Sequence, residues 1–339
     1  MTRPLALVVT VGLLARPVAF VRPPLPDPFA FFRPTIEISA EDRRRLDRGE
    51  PLVRILPGAD SELAVFGGIA IHVDGARLIA WEREIAALKQ NAMVLSIGRF
   101  SNPPRLDDLR KLVLDNDELK DVGHCRPGDC ALKLASDDIG RLKQAIAGAP
   151  PGAQETFRHI VLERVQRYLA GGHSALPASV DRDRPTAPVF AAFFQRSPFL
   201  VEHLPAFVTY LRSYPDAPDP DVESFAYWSK EKFGGRPVIS ATQVSMLRGR
   251  DDGAPDALVV GLQIFTTHYT NGSFSVTAVV RGGPGSPNYL LYLNRSDTDV
   301  LGGVFGGVKR LLIERHVKSQ AAEVLQQWRR RLESGDPPG

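Results

Sequence analysis

The stretch from Ala257 to Arg281, ALVVGLQIFTTHYTNGSFSVTAVVR, decides the architecture of the chain. It holds two runs rich in Val, Ile, Thr, Tyr and Phe, Ala257 to Tyr269 and Phe274 to Arg281, on either side of Asn271-Gly272. β-Branched and aromatic side chains fit a pleated, half-buried surface. Asn-Gly supplies the left-handed backbone that a two-residue hairpin turn needs. The stretch therefore reads as two antiparallel strands joined at Asn271-Gly272.

Working outward, the same character recurs in Phe225 to Phe233, Val238 to Leu247 and Tyr289 to Asn294, with a turn at Gly282 to Pro287. Five sequential strands with short connections argue for an antiparallel meander. Downstream, the period changes to that of a helix from about Thr298 to Leu332, with Ser296 or Asp297 as its N-cap. Its apolar face begins with Leu301, Val304, Phe305, Val308, Leu311 and Leu312, and continues with Ala322, Leu325, Trp328 and Leu332. Gly302-Gly303 and Gly306-Gly307 fall inside this segment, where each glycine costs roughly 1 kcal/mol relative to alanine. Close approach of the helix to the sheet or to a ligand would offset that cost; a local bend or frayed first turn is the alternative.

Upstream, Ser39 and Asp42 form a near capping box for a short helix that ends at Gly49. Strands are expected over Pro51 to Leu56, Glu62 to Val73 and Met93 to Phe100, with a helix over Ala76 to Lys89. The middle of the chain reads as helices: Leu106 to Leu119, Ser136 to Ala147, Gln154 to Leu169, and Val189 to Tyr214 broken by Pro198 and Pro205. The expected fold class is α+β: a curved antiparallel sheet wrapped around a long C-terminal helix, with extra helices in the middle of the chain.

The chain has 339 residues, of which 43% are hydrophobic and 24% charged, an ordinary globular balance. Its 42 basic and 39 acidic residues leave a net charge of only +3, which argues against a nucleic-acid partner. Arg43-Arg44-Arg45 and Arg329-Arg330-Arg331 read as solvated helix faces. Arg3 followed by the apolar run Leu5 to Ala15 has the size of a signal-peptide core. The expected organisation is a signal peptide over 1–19, a Pro-rich linker over 20–34, and one domain over 35–334 with a helical insertion at about 104–214. That places the protein in the periplasm or outside the cell.

The two cysteines, Cys125 and Cys130, bracket Pro127-Gly128, a strong turn signal. In an oxidising compartment they form a short-loop disulfide. Free thiols and a metal site with His124 are the other readings, although no fourth ligand is evident.

Tyr227-Trp228-Ser229-Lys230-Glu231, Pro237-Val238-Ile239-Ser240, His268-Tyr269, Tyr292-Leu293-Asn294-Arg295-Ser296, Gly302 to Gly307 and Lys309-Arg310 together resemble the last strands and closing helix of the START-like, helix-grip superfamily (SRPBCC, Bet v 1-like). The resemblance implies a lipid or other hydrophobic small molecule, bound and possibly transferred in a cavity between sheet and C-terminal helix, with transient membrane contact. The ligand-binding residues expected are Tyr227, Ile264, Thr266, His268, Tyr292, Gly303, Phe305 and Gly306. Strand alternation groups Val260, Leu262, Ile264, Thr266 and His268 on one face, and Phe274, Val276 and Ala278 on another. Lys230, Glu231 and Arg295 are either buried or gating charges or ordinary strand-end charges. The superfamily has no universal catalytic signature, so no catalytic residue, cofactor or metal is expected. The alternative is a cyclase- or aromatase-like enzyme using the same cavity, with Tyr227, His268 and Tyr292 as acid/base candidates.

Overall fold

The computed structural model describes residues 27–126, 129–148, 150–176, 186–249, 255–301 and 306–338. The expected signal peptide and most of the expected linker lie outside them, as do Gly303 and Phe305.

The chain opens with α1 (Ala40–Asp47), where Ser39 and Asp42 form the reciprocal capping box. The hairpin β1 (Leu52–Leu56) and β2 (Glu62–Ile71) follows, then α2 (Gly75–Arg83), α3 (Ile85–Lys89) and β3 (Val94–Arg99). A helical segment comes next: α4 (Asn116–His124), α5 (Ser136–Gly148), α6 (Pro150–Gly171), α7 (Thr186–Gln195), α8 (Pro198–His203) and α9 (Pro205–Ser213). The meander is β4 (Val222–Phe233), β5 (Arg236–Arg248), β6 (Ala257–Thr266), β7 (Thr270–Val280) and β8 (Asn288–Thr298). The last helix, α10, spans Gly306–Glu333. All eight strands form one antiparallel sheet in the order β1-β2-β8-β7-β6-β5-β4-β3. The fold is thus the expected α+β arrangement of a curved antiparallel sheet and a long C-terminal helix.

Both faces of the sheet are covered. On one face, the N-terminal Phe29, Phe31 and Phe32 and the aromatic residues of α7–α9 pack on Phe66, Phe274, Val276, Leu291 and Leu293. That layer continues with Phe157, Ile160, Val161 and Val165 of α6 against Ala226, Trp228, Ile239, Ala241 and Ile264. On the other face, α2, α3 and the C-terminal half of α10 bury Leu78, Ile79, Ile85, Leu325 and Leu332 against Ile69, Val244, Met246 and Val259. Each such side chain, once buried, stabilises the fold by roughly 1.5–3 kcal/mol. A smaller cluster of Leu63, Val65 and Leu301 meets Ile313, Val317 and Ala321 near the start of α10.

Several boundaries differ from the sequence reading for identifiable reasons. The expected helix over Leu106 to Leu119 is instead a 3₁₀ turn (Leu106–Leu109), an irregular stretch and α4. Side chains of α6 satisfy the intervening backbone: Gln154 bonds both the N–H (2.9 Å) and C=O (2.7 Å) of Leu114, and Arg158 donates to the carbonyl of Leu112 (2.9 Å). The β6–β7 turn is not at Asn271-Gly272, which lie inside β7, but at Thr267-His268-Tyr269, where Tyr269 has φ of 63°. The Asn271 side chain is drawn into polar contacts with Lys133 (2.8 Å), Asp297 (2.6 Å) and Asp299 (3.0 Å). The C-terminal helix starts at Gly306, because β8 extends to Thr298 and takes in Ser296 and Asp297, the expected N-caps. Leu311 and Leu312 of its expected apolar face are solvent-exposed, while Ile313 and Val317 pack inward.

Candidate functional site

Between the inner core on α2–α3 and the smaller cluster at the start of α10, the sheet and helices separate to leave a cavity of about 700 Å³. That lies within the usual range for small-molecule sites. Its two walls differ. The sheet contributes hydroxyls and amides: Thr242 of β5, Gln263 of β6, Ser275 and Thr277 of β7, Asn294 and Ser296 of β8. The helical wall is mainly apolar: Ile85, Leu312, Ile313, Val317 and Trp328. Met93, Phe233 and Leu312 line the cavity and are also exposed, so it opens to solvent beside the β4–β5 turn and the first turns of α10.

Gly261 shapes the floor. A Cβ there would stand 2.5 Å from Ser275 Oγ and 3.5 Å from Thr242 Cγ2, so the missing side chain gives these two neighbours their room. Part of the sheet wall is bonded to itself, since Ser273 pairs with Ser296 at 2.9 Å and Thr270 donates to Gln263 at 2.8 Å. The hydroxyls of Thr242, Ser275 and Thr277 have no hydrogen-bond partner among the described residues.

A charged cluster lies in the same cavity. Lys89 Nζ donates to Glu231 Oε1 at 2.8 Å and to the Tyr227 hydroxyl at 3.2 Å. Burial draws the Lys89 ammonium down, but the Glu231 carboxylate and the Tyr227 hydroxyl outweigh it and hold its pKa above the ordinary lysine value. Burial pushes the Glu231 carboxyl up, and Lys89 overrides that to hold it below the usual carboxylate range. Ser229 also donates to Glu231 at 2.7 Å. Tyr292, edge-on to Trp328 with ring centroids 5.7 Å apart, is pushed up by burial to about 12.

Glu82 stands apart. It lines the cavity, is only 4% exposed, and makes no hydrogen bond or ion pair with any described residue. Burial pushes its carboxyl up to about 7, against a smaller opposing effect of Lys89. A carboxyl so placed is neutral through much of the physiological range and can donate as well as accept.

Of the residues expected to bind ligand, Tyr227, His268 and Tyr292 line the cavity. Ile264 and Thr266 do not: Ile264 packs in the α4–α6 layer, and Thr266 Oγ1 donates to the backbone carbonyl of His268 at 3.1 Å. Alternation fails here because the β5–β6 register skips Ile264, pairing Ala241 with Phe265 and Thr242 with Gln263. This bulge reverses the facing of the residues beyond it. The cavity face of β6 is therefore Val259, Gly261 and Gln263. On β7, likewise, Phe274, Val276 and Ala278 join the opposite layer, and Ser273, Ser275 and Thr277 face the cavity.

His268 is committed to protein contacts. Its Nδ1 lies 2.8 Å from the Ala131 carbonyl and its Nε2 2.6 Å from Glu118 Oε1, so Nδ1 carries a proton and a further proton is shared with Glu118. Arg295 and Lys230 sit on the face away from the cavity; Arg295 bonds Glu62 at 2.6 Å and Lys230 donates to the Val113 carbonyl at 2.9 Å. Gly306 is the first residue of α10.

Sequence reasoning missed Glu82 and Lys89, although a signal existed. Glu82 is four residues after Leu78 and three before Ile85, and Lys89 is four after Ile85, so both fall on the apolar stripe of their helices. Cys125 and Cys130 are joined in a disulfide that closes a loop of sequence separation 5 beside α4. No group of three or more metal-ligating side chains occurs among the described residues, and no helix there is long and apolar enough to cross a membrane.

No protein-family model matches the chain, and no curated protein matches it in sequence. Among solved structures, the fold is similar to TTHA0849 from Thermus thermophilus, at 12% identity and a TM-score of 0.25, covering 40% of this chain and 86% of that one. A second similar structure is the di-domain ARO/CYC BexL from the BE-7585A biosynthetic pathway, at 11% identity and a TM-score of 0.24, covering 94% and 97%.

Proposed function

We propose that this protein binds a hydrophobic small molecule in the cavity between the sheet and α10, in the manner of the START-like helix-grip superfamily, as one domain with the helices of α4–α9 inserted between β3 and β4. The observation that carries the reading is the cavity itself. About 700 Å³ is enclosed by an apolar helical wall and a hydroxyl-lined sheet, and opens beside exposed Met93, Phe233 and Leu312. Transferring apolar ligand surface out of water supplies roughly 25 cal/mol per Å², and the unpartnered hydroxyls of Thr242, Ser275 and Thr277 would fix the ligand's orientation. These hydroxyls favour a ligand bearing oxygen functions over a bare acyl chain, which would leave them desolvated and unbonded. Tyr227 and Tyr292 are the ligand contacts retained from the sequence reading, and transient membrane contact would use the exposed apolar mouth.

The neutral fluorophore N-phenyl-1-naphthylamine tests the reading. Saturable binding to the wild type, lost in Thr242→Trp, is expected; an equal signal in a folded Thr242→Trp variant would place the probe elsewhere and defeat the proposal.

A cyclase-like catalyst in the same cavity is the second reading, favoured by one observation: Glu82, an unpartnered carboxyl, shares the cavity with Lys89, Tyr227 and Tyr292. Such a group can hold or release a proton at a reacting carbon or oxygen. The Cys125–Cys130 disulfide is compatible with a periplasmic or extracellular setting, which we retain as part of the proposal.

A further inference from the structure

We infer that Glu82 sets the charge selectivity of the cavity: the protein takes an uncharged hydrophobic molecule that offers an acceptor oxygen to the Glu82 carboxyl, and rejects acids of the same skeleton, fatty acids included. The inference rests on the binding proposal above and deepens it.

Charge bookkeeping around Glu82 carries the argument. The ionisable groups lining the cavity are Lys89 from α3, Tyr227, Glu231 and Lys232 from β4, His268 and Tyr269 from the β6–β7 turn, Tyr292 from β8, and His316 from α10. Lys89 is already compensated by Glu231 at 2.8 Å. His268 is bonded to Glu118 at 2.6 Å. Lys232 and His316 are solvent-exposed, at the mouth. An incoming carboxylate or sulfonate therefore finds no uncommitted cation in the interior among the described residues, and it meets Glu82. Once Glu82 ionises, the interior carries one net negative charge, in a place where water cannot screen it. An ammonium ligand would instead be opposed by Lys89. A neutral acceptor suffers neither penalty, and it satisfies a carboxyl that is 4% exposed and without a hydrogen-bond partner among the described residues.

Two probes of one skeleton separate the possibilities: neutral N-phenyl-1-naphthylamine and anionic 1-anilinonaphthalene-8-sulfonate, titrated by fluorescence from pH 6 to pH 8. If the anion enters only when Glu82 is protonated, its affinity falls on the order of tenfold across this range, while the neutral probe changes less than about twofold. Glu82→Gln is expected to abolish the anion's pH dependence, and His316→Asn to leave it. An anion profile that persists in Glu82→Gln, or disappears only in His316→Asn, overturns the inference and leaves the binding proposal standing. Failure of the neutral probe to bind the wild type overturns both. The wild-type profile alone is informative without any variant: equal, pH-independent affinity for the two probes refutes a charge filter.

Discussion

Replacing Glu82 by glutamine should stabilise this protein above neutral pH and leave it unchanged in acid. The carboxyl ordinarily titrates at 4.5, and in the folded chain at about 7. Between those values the folded state binds the proton and the unfolded state does not, so stability falls as pH rises. Below 4.5 both states are protonated and Glu82 contributes nothing. Above about 7 both are ionised and the full cost of the buried charge is present. At about 1.4 kcal/mol per pH unit, the interval amounts to about 3 kcal/mol. Glutamine has nearly the same shape and cannot ionise, so the difference in stability between variant and wild type should grow from near zero at pH 4.5 to about 3 kcal/mol at pH 8. Urea unfolding of both proteins at several pH values reads it directly, because other titrating groups largely cancel in the difference. A pH-independent difference, or a variant less stable than the wild type at pH 8, would refute the claim that Glu82 is a desolvated, unpartnered carboxyl.

Three further outcomes follow from buried features elsewhere. Glu62 and Arg295 are 1% and 2% exposed, so Arg295→Met strands a carboxylate; urea midpoints should show a loss of about 3–5 kcal/mol, most of it recovered in the Glu62→Gln/Arg295→Met double variant. Gly172 has φ of 61°, and a Cβ there would lie 2.1 Å from the Tyr214 carbonyl oxygen; Gly172→Ala should therefore lower stability by more than about 2 kcal/mol, and a thermal midpoint equal to the wild type would contradict it. Reducing the Cys125–Cys130 bridge reopens a loop of sequence separation 5, worth about 2 kcal/mol by loop entropy, so the urea midpoint should drop in dithiothreitol while far-ultraviolet circular dichroism stays native.

Much of the architecture is written in local pattern. The run from Phe225 to Asn294 specifies strands through its β-branched and aromatic content, Ser39 and Asp42 specify a helix start, and Pro198 and Pro205 specify where helices break. These signals act within a few residues and need no knowledge of the rest of the chain. The cavity was only partly visible. Tyr227 and Tyr292 sit on alternating strand positions that do face it, but β2 and β6 are buried along almost their whole length because helices cover both faces of the sheet. Alternation then carries no polarity signal.

What the sequence alone determined is therefore the strand meander, the helical middle, the cysteine turn and the existence of a long closing helix. Tertiary structure decided the rest. A one-residue skip at Ile264 set which face of β6 looks inward, Gln154 and Arg158 of α6 replaced the expected helix after Leu109, and β8 extended through Asp297 to move the start of α10 to Gly306. It also gave Glu82 its character. On the helix, Glu82 is one acidic residue in an apolar stripe; only the packing of α2 against the sheet removes water from it and leaves it without a partner among the described residues, because desolvation depends on what every other element contributes to the same few ångströms.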